Sequence, residues 1–412
     1  MKKIFVTYNG LCKEVWIFAL MTVINRIGAM VVPFLSKYLY DDLSFSYAQI
    51  GTVMLFFGLG SFLGTFIVGK ISRYFCSYLL MVFSMLGTGV FLFTMQFIES
   101  FLPFCMIVFF YSLIADMFRP VMIATLKDYV DNNDRVRALS LIRIASNFGF
   151  IVSPIIAGLV IVSFGYALLF VIDSISSIIA IVVFVLFVKE KKVLHKLVFK
   201  NFKEERFPFL KDKLLLIHCF VTVLTGYIFF QIFSILPLYY NVYLKLDTSY
   251  NSIFLVFYGL VLFLFEIPIV EYVKRKNFYS INSIMYGIVL IGLGYFCLVS
   301  FPHLYTVFVA LVLIAIGSML TFSFATDFVL ERAYKRQEGK FLSFFQISYS
   351  VAHVLSAKIG LYLVEHFGYL FNFIVNIIIA ALGVTVAYFL KNAIDIERNE
   401  KKRAIAESFF GK

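Results

Sequence analysis

The sequence is poor in charge. Only 15% of its 412 residues are Asp, Glu, Lys or Arg, against about 25% in ordinary soluble proteins. That shortage excludes a soluble globular enzyme, whose surface needs more polar cover than this chain can supply. Cysteine is scarce and unpatterned: Cys12, Cys76, Cys105, Cys219 and Cys297 are scattered, odd in number and free of any C-x-x-C spacing. Neither a disulfide framework nor a zinc site is indicated. His218 beside Cys219 is a lone pair on a helix and reads as packing. There is no G-x-x-x-x-G-K-[ST] run and no large polar segment to carry a nucleotide-binding domain. If the chain does transport work, a gradient drives it. No metal, no cofactor and no catalytic residue is expected, and the chain is read as a non-enzyme without a nucleic-acid partner.

What the chain has instead is apolar length. Hydrophobic residues make up 62%, with 52 Phe and 25 Tyr. They come in blocks such as Leu168 to Val188 and Leu304 to Ala325, and blocks of about 18 or more with few charges read as bilayer-spanning helices. Twelve spans are placed, at roughly 15–36, 47–69, 78–98, 101–126, 138–164, 166–188, 214–244, 249–270, 279–301, 303–326, 341–364 and 368–391. Each must be helical, because an open strand edge is unsatisfied in lipid. The basic-then-apolar N-terminus has no small-residue cleavage site, so the first block reads as a retained span.

The net charge of +12 follows from orientation. The even-numbered gaps carry the cations: Lys70 and Arg73; Lys127, Arg135 and Arg137; Lys274, Arg275 and Lys276; Arg332, Lys335, Arg336 and Lys340. The odd-numbered gaps hold mainly Lys37 and Lys245. By the positive-inside rule the even gaps and both basic termini are cytoplasmic, with the inner (cytoplasmic) membrane the expected location. The longest gap, Lys189 to Lys213, carries nine Lys or Arg and four Asp or Glu and reads as a solvated cytoplasmic linker. The expected organisation is a six-helix bundle over 1–188, a linker over 189–213, a second bundle over 214–391 and a cytoplasmic tail over 392–412.

An internal repeat supports this division. Pro33 recurs as Pro237, 204 positions on. Ser46-Tyr47 recurs as Ser249-Tyr250 and Leu139-Ser140 as Leu342-Ser343, each 203 on, and Ile144 and Ser153 meet Ile347 and Ser356 in that frame. Two parallel six-helix repeats are a transporter architecture.

Ionisable groups inside spans mark function, since each costs about 2.5–3.5 kcal/mol at the bilayer centre. Arg26 lies near the middle of span one beside Asn25. Asp116 and Arg119 share a face of span four, and Pro120 should loosen the helix there. Arg143 and Asn147 lie one turn apart in span five. Asp173 lies in span six, Glu266 two residues before Pro268 in span eight, and His353 and Lys358 in span eleven. Asp327 is interfacial. Arg26 reads as a substrate or gating residue against a structural ion pair. Asp116 with Arg119 is either a helix-ordering salt bridge or a coupling pair. Asp173 is a partner for Lys358 if the bundle brings them together, Glu266 can snorkel to the surface, and Tyr227 and Gln231 in span seven are cavity candidates. Cations outnumber acids inside the spans, so the expected cargo carries negative charge or at least a carboxylate.

Several stretches resemble the major facilitator superfamily, and within it the drug/proton-antiporter-like exporters, over essentially the whole chain. Asn25 to Leu35 resembles the first span of one bacterial branch, and Phe57-Gly58-Leu59-Gly60 through Gly64 and Gly69 its second. Phe118-Arg119-Pro120 resembles its fourth span, and Arg137-Ala138-Leu139-Ser140 with Arg143 its fifth. Asn147-Phe148-Gly149, Ser153-Pro154 and Ala157-Gly158 resemble the antiporter motif, in which Gly and Pro allow close packing and a bend. The loop motif Gly-x-x-x-Asp-Arg-x-Gly-Arg reads here as Gly69 to Ser77, with Arg73 at the acid's place; the family's acid helps lock the outward-facing state. Ser153 and Ala157 stand where the antiporter motif usually has glycine.

The resemblance implies an all-α membrane protein with twelve transmembrane helices in two six-helix pseudo-repeats, working as a monomer by alternating access. It implies proton-coupled efflux of a drug or metabolite, such as a carboxylate siderophore, with uptake of a nutrient or metal-chelate as the alternative. A polytopic enzyme or sensor is the reading from another class. Asp116, Asp173 and Glu266 are the proton-coupling candidates. Asn25, Arg26, Arg119, Tyr227 and Gln231 are the substrate or gating candidates. Gly69, Arg73, Arg143, Asn147, Gly149, Pro154 and Gly158 are the conformational ones.

Overall fold

The computed structural model describes residues 10–72, 74–130, 134–190, 211–276, 279–333 and 338–410. Arg73 lies outside them. Among the described residues there is no strand, and twelve helices are long and apolar enough to cross a membrane. They are Lys13–Asp41, Tyr47–Val68, Ser77–Met95, Phe101–Leu126, Arg137–Phe164, Ala167–Phe187, Lys213–Tyr243, Ser249–Val273, Ser280–Ser300, Leu304–Arg332, Phe344–Phe367 and Tyr369–Glu400. Each overlaps an expected span.

Local chemistry sets several ends. Ser46 opens span two with a capping box: its hydroxyl accepts the Gln49 N–H at 3.3 Å, and its own N–H donates to the Gln49 side chain at 3.0 Å. These bonds satisfy two backbone donors that a helix start leaves open. Asp212 opens span seven by accepting the N–H groups of Leu214 and Leu215, both at 3.1 Å. The last helix differs from expectation. Instead of stopping near 391 it runs from Tyr369 to Phe410, roughly 63 Å at 1.5 Å per residue. No Gly or Pro interrupts residues 391–410, and two contacts fix the extension. Arg332 bridges Asp212 at 2.6 Å and Glu397 at 3.0 Å, and the Arg398 guanidinium lies 4.5 Å from the Tyr279 ring centre.

The backbone itself carries the repeat. Gly165 and Gly368, 203 apart, both take positive φ (79° and 83°) between the fifth and sixth spans of their halves. Ser44 and Lys245, 201 apart, do so at 54° and 56° between the first and second. Both first spans also break. Span one is a helix over Lys13–Gly28 and another over Val31–Asp41. Span seven is helical over Lys213–Ser234, passes through Leu236–Leu238 and ends in a π-helical turn, Tyr239–Tyr243. Pro237 withholds an N–H there, which helps explain the second break.

By packing, the chain divides into two compact units. One comprises residues 1–202, 231–263 and 353–366; the other comprises 203–230, 264–352 and 367–412. The division cuts across spans seven, eight and eleven. In the first unit Phe18, Met21, Met81, Met85, Ile181 and Phe184 form an apolar centre. In the second, spans nine and ten pack closely, with Ile284, Ile288, Ile291 and Tyr295 buried on one and Ala310, Ile314 and Ala315 on the other. Large apolar side chains left exposed, such as Leu159, Val162, Leu186 and Phe389, are what a lipid-facing surface requires.

Candidate functional site

Span four is broken where its charges lie. One helix ends at Ala115, Asp116 caps it, and a second helix runs over Phe118–Lys127. Pro120 sits four residues after Asp116, so the Asp116 carbonyl loses its helical donor and meets the proline ring. This is the loosening expected from the sequence. Asp116 and Arg119 flank this break within electrostatic reach of span one, where Arg26 occupies the last turn before that span's own break.

Arg26 interacts electrostatically with Arg119, Asp116, Tyr111 and Asp173. The Ser61 hydroxyl of span two donates to Asp116. The structure therefore brings Arg26, Asp116, Arg119 and Asp173 together from spans one, four and six. Arg26 and Arg119 keep accessible surface, Asp116 is half-buried, and Tyr111 is buried. Among the described residues, neither guanidinium makes a hydrogen bond or an ion pair closer than 4 Å. Two cations of a membrane protein, within electrostatic reach of each other and without hydrogen-bonded counter-ions among the described residues, can grip an anionic group with charge-assisted bonds.

The other candidates are distributed around this cluster or away from it. Asp173, 4% exposed, accepts the Val31 N–H at 3.3 Å. It thus caps the second half of broken span one, where the open N–H groups favour a carboxylate. Ser153 completes the break by donating to the Ala29 carbonyl at 3.1 Å. Asp173 does not pair with Lys358, whose ammonium donates instead to Thr52 at 2.7 Å and to the Ala48 carbonyl at 3.4 Å. Asn25 donates to Ser177 at 3.2 Å and ties span one to span six.

Gly149 explains how span five reaches the site. A Cβ there would run into the Arg26 Cβ and the Ile27 N–H, so glycine lets the two helices cross at the residue that bears the guanidinium. Pro154 is buried inside a helix that continues from Arg135 to Phe164. Gly158 faces Ser252 of span eight. Arg143 is exposed and Asn147 half-buried on span five. Tyr227 is buried in the second unit, and Gln231 is buried against Gly360 in the first. Glu266 is half-buried, and Gly69 lies in the last turns of the helix Tyr47–Ile71. Sequence reasoning missed Ser61 and Tyr111. The signal for Ser61 was Gly60 with Gly64: both face the Phe109–Leu113 backbone of span four, a close approach that small residues four apart permit. Among the described residues no group of His, Cys, Asp and Glu side chains is arranged to hold a metal.

Within the first unit the cation-poor ends of four spans are packed together. Span two meets span eleven through the Thr52–Lys358 bond and through the Phe57 and His353 rings, whose centres are 5.1 Å apart. Span five meets span eight where Gly158 faces Ser252 and the Phe150 and Tyr258 rings stand edge to face.

Comparison with known proteins agrees with this architecture. The sequence matches the family model of the Major Facilitator Superfamily over residues 18–357 and again over 284–411. No curated protein sequence matches the chain. Among solved structures, the fold is similar to a nucleoside transporter, NupG, at a TM-score of 0.78 and 15% identity, covering 92% of this chain and 99% of that one. It is similar to the POT family transporter PepTSo at 0.78 and 15%, covering 93% and 98%. A bacterial homologue of the human lysosomal transporter Spinster, in an inward-facing and occupied conformation, gives 0.75 and 11%, covering 92% and 96%.

Proposed function

The chain belongs to the major facilitator superfamily, a family of small-molecule transporters and not of enzymes, and we propose that its cargo is a small anion held by Arg26 and Arg119, with protons coupled through Asp116. The observation that carries this reading is the pair of neighbouring guanidiniums that keep accessible surface and lack hydrogen-bonded partners among the described residues. An organic carboxylate supplies the missing acceptors. The working cycle is alternating access by two bundles, 1–188 and 214–391, joined by the linker 189–213. Cargo and protons shift the balance of states through their differential affinities. With the cation-rich gaps and both termini in the cytoplasm of an inner membrane, the packed ends of spans two, five, eight and eleven are the closed outer gate.

Two directions of transport are proposed. Efflux, in the manner of drug/proton antiporters, is supported by the close crossing at Gly149 and by Pro154 and Gly158 in span five. Uptake is supported by the two guanidiniums that stand open at the site, where a carrier of cationic drugs needs an acid without neighbouring cations. The test is transport in cells and proteoliposomes. Arg26→Gln or Arg119→Gln should cut transport of anionic compounds by roughly 10- to 100-fold, the equivalent of one charged hydrogen bond of about 1.5–3 kcal/mol. A protonophore should collapse transport and Asp116→Asn should uncouple it. Unchanged transport of anions by both arginine variants rejects the cargo assignment. Accumulation in a deletion strain separates efflux from uptake.

A further inference from the structure

The Arg26–Arg119 site, read as an anion site, also fixes the sign of the coupling between cargo and proton, and this inference rests on that reading. Four charged groups meet there: Arg26 from span one, Asp116 and Arg119 from span four, and Asp173 from span six. Tyr111 and Ser61 are the other polar groups facing Asp116, from spans four and two. With both acids ionised, two cations balance two carboxylates and the empty site is neutral. A bound monoanion leaves it one charge in deficit, in a setting where uncompensated charge is costly. One proton restores the balance.

The two acids do not compete equally for that proton. Asp173 accepts the Val31 N–H at the open start of a half-helix, where the helix dipole favours the charged carboxylate, and protonation would give up that stabilisation. Among the described residues Asp116 receives only the Ser61 hydroxyl, and it shares Arg26 and Arg119 as its counter-ions, the same cations the cargo needs. We propose that cargo anion and proton bind this site together, the proton on the Asp116 carboxylate, so that the two cross the membrane in the same direction. The antiport expected from the resemblance requires the opposite, cargo and proton excluding one another. With an inward proton gradient, joint binding drives the anion into the cell.

Linkage gives the test. If a bound proton strengthens anion binding, a bound anion strengthens proton binding by the same factor. Benzenesulfonate serves as the probe, because its charge is constant over the whole pH range used. Binding to the purified full-length protein in lipid nanodiscs is measured by calorimetry between pH 5.5 and 8.5. Affinity should rise on the order of tenfold as pH falls, within the usual range of coupling between sites. Near neutral pH up to about half a proton should be taken up per anion bound, the most that a tenfold coupling allows, seen as a change of binding heat with buffer ionisation enthalpy. Asp116→Asn should bind tightly at every pH without proton uptake. The wild-type pH series and proton count decide the matter even if that variant fails to fold. Binding that is independent of pH, or that weakens as pH falls, overturns joint binding while leaving the anion site intact. Absence of binding at every pH overturns the anion site itself, and joint binding with it.

Discussion

The two halves of the molecule put the same geometry to different chemical use. In the repeat frame of 203 positions, Arg26 corresponds to Phe229, Asp116 to Met319, Arg119 to Phe322 and Asp173 to Asn376. In the first half Arg26 and Arg119 are electrostatic neighbours. In the second half Phe229 and Phe322 are in edge-to-face contact, their ring centres 4.7 Å apart. The fold brings these two positions together in both halves, so the meeting of the arginines is a property of the repeat and the charge is an addition to it. The helices follow the chemistry. Span four breaks at Asp116 and Pro120, whereas span ten, with Met319 and Ser323 at those places, is one helix over Leu304–Arg332.

The strongest way to break this comparison is to copy the second half into the first. The quadruple variant Arg26→Phe, Asp116→Met, Arg119→Phe, Asp173→Asn should keep the fold and abolish transport. Replacing a charge set as a whole is often neutral or stabilising, by about 1–4 kcal/mol, whereas removing one member leaves the others uncompensated. The quadruple variant should therefore melt at or above the wild-type temperature, and Asp116→Met alone should melt below it. A quadruple variant that transports would show that the charges are structural.

Next in size is the crossing that presents Arg26. Span five uses Gly149 against span one; span eleven has Ala352 at that place, and span seven supplies the small residue, Gly226, opposite it. Gly149→Leu should cost roughly 1–3 kcal/mol as overpacking and should depress transport further by displacing Arg26. Ala352→Gly should cost only about 1 kcal/mol in helix propensity and leave transport near wild type. Thermal melting and transport measured on both variants separate the two effects.

A smaller effect is expected at Asp173, where the repeat itself supplies the control residue. Asp173→Asn, the residue found at position 376, keeps an acceptor for the Val31 N–H and should leave stability and coupling nearly intact. Asp173→Ala orphans that N–H and should cost about 1–3 kcal/mol. If Asp173→Asn instead uncouples transport from protons, its carboxylate carries the proton and the division of labour with Asp116 is wrong.

Much of this was legible in the sequence, for reasons that differ from feature to feature. The spans were readable because a helix must expose apolar side chains to lipid along its whole length, and their two-fold order because loop cations and Pro33 with Pro237 survive as local marks. Arg26, Asp116 and Arg119 were readable as costs, since a charge in a span must be compensated. Their assembly into one site was not, because Arg26 meets the Asp116–Arg119 pair only through the packing of spans one and four. The role of Asp173 was hidden for the same reason: a cap supplied from another span leaves no local signature, unlike the Ser46–Gln49 box. The helical extension beyond residue 391 was read as a tail because its polarity suits solvent, and the ion pair of its Glu397 to Arg332 joins distant positions.

The smallest prediction concerns the proposed outer gate, where the halves again differ. Thr52 and Lys358 join spans two and eleven; the corresponding positions in spans eight and five are Leu255 and Ile155. One crossing has a charged bond and its counterpart has none. Lys358 has no carboxylate within ion-pair distance among the described residues, so the bond to the Thr52 hydroxyl and the Ala48 carbonyl is what holds it. Lys358→Met preserves the length of the side chain and removes that bond, about 1 kcal/mol for a partly exposed contact. This should shift the population of the closed outer gate by roughly fivefold. Spin labels on the outer ends of spans two and eleven should report the shift as a longer-distance fraction, and Thr52→Val should reproduce most of it. Labels on spans five and eight should move by the same fraction, because both crossings open in one rigid motion. If the two pairs respond differently, the outer gate opens at one crossing at a time and the two bundles do not move as single bodies.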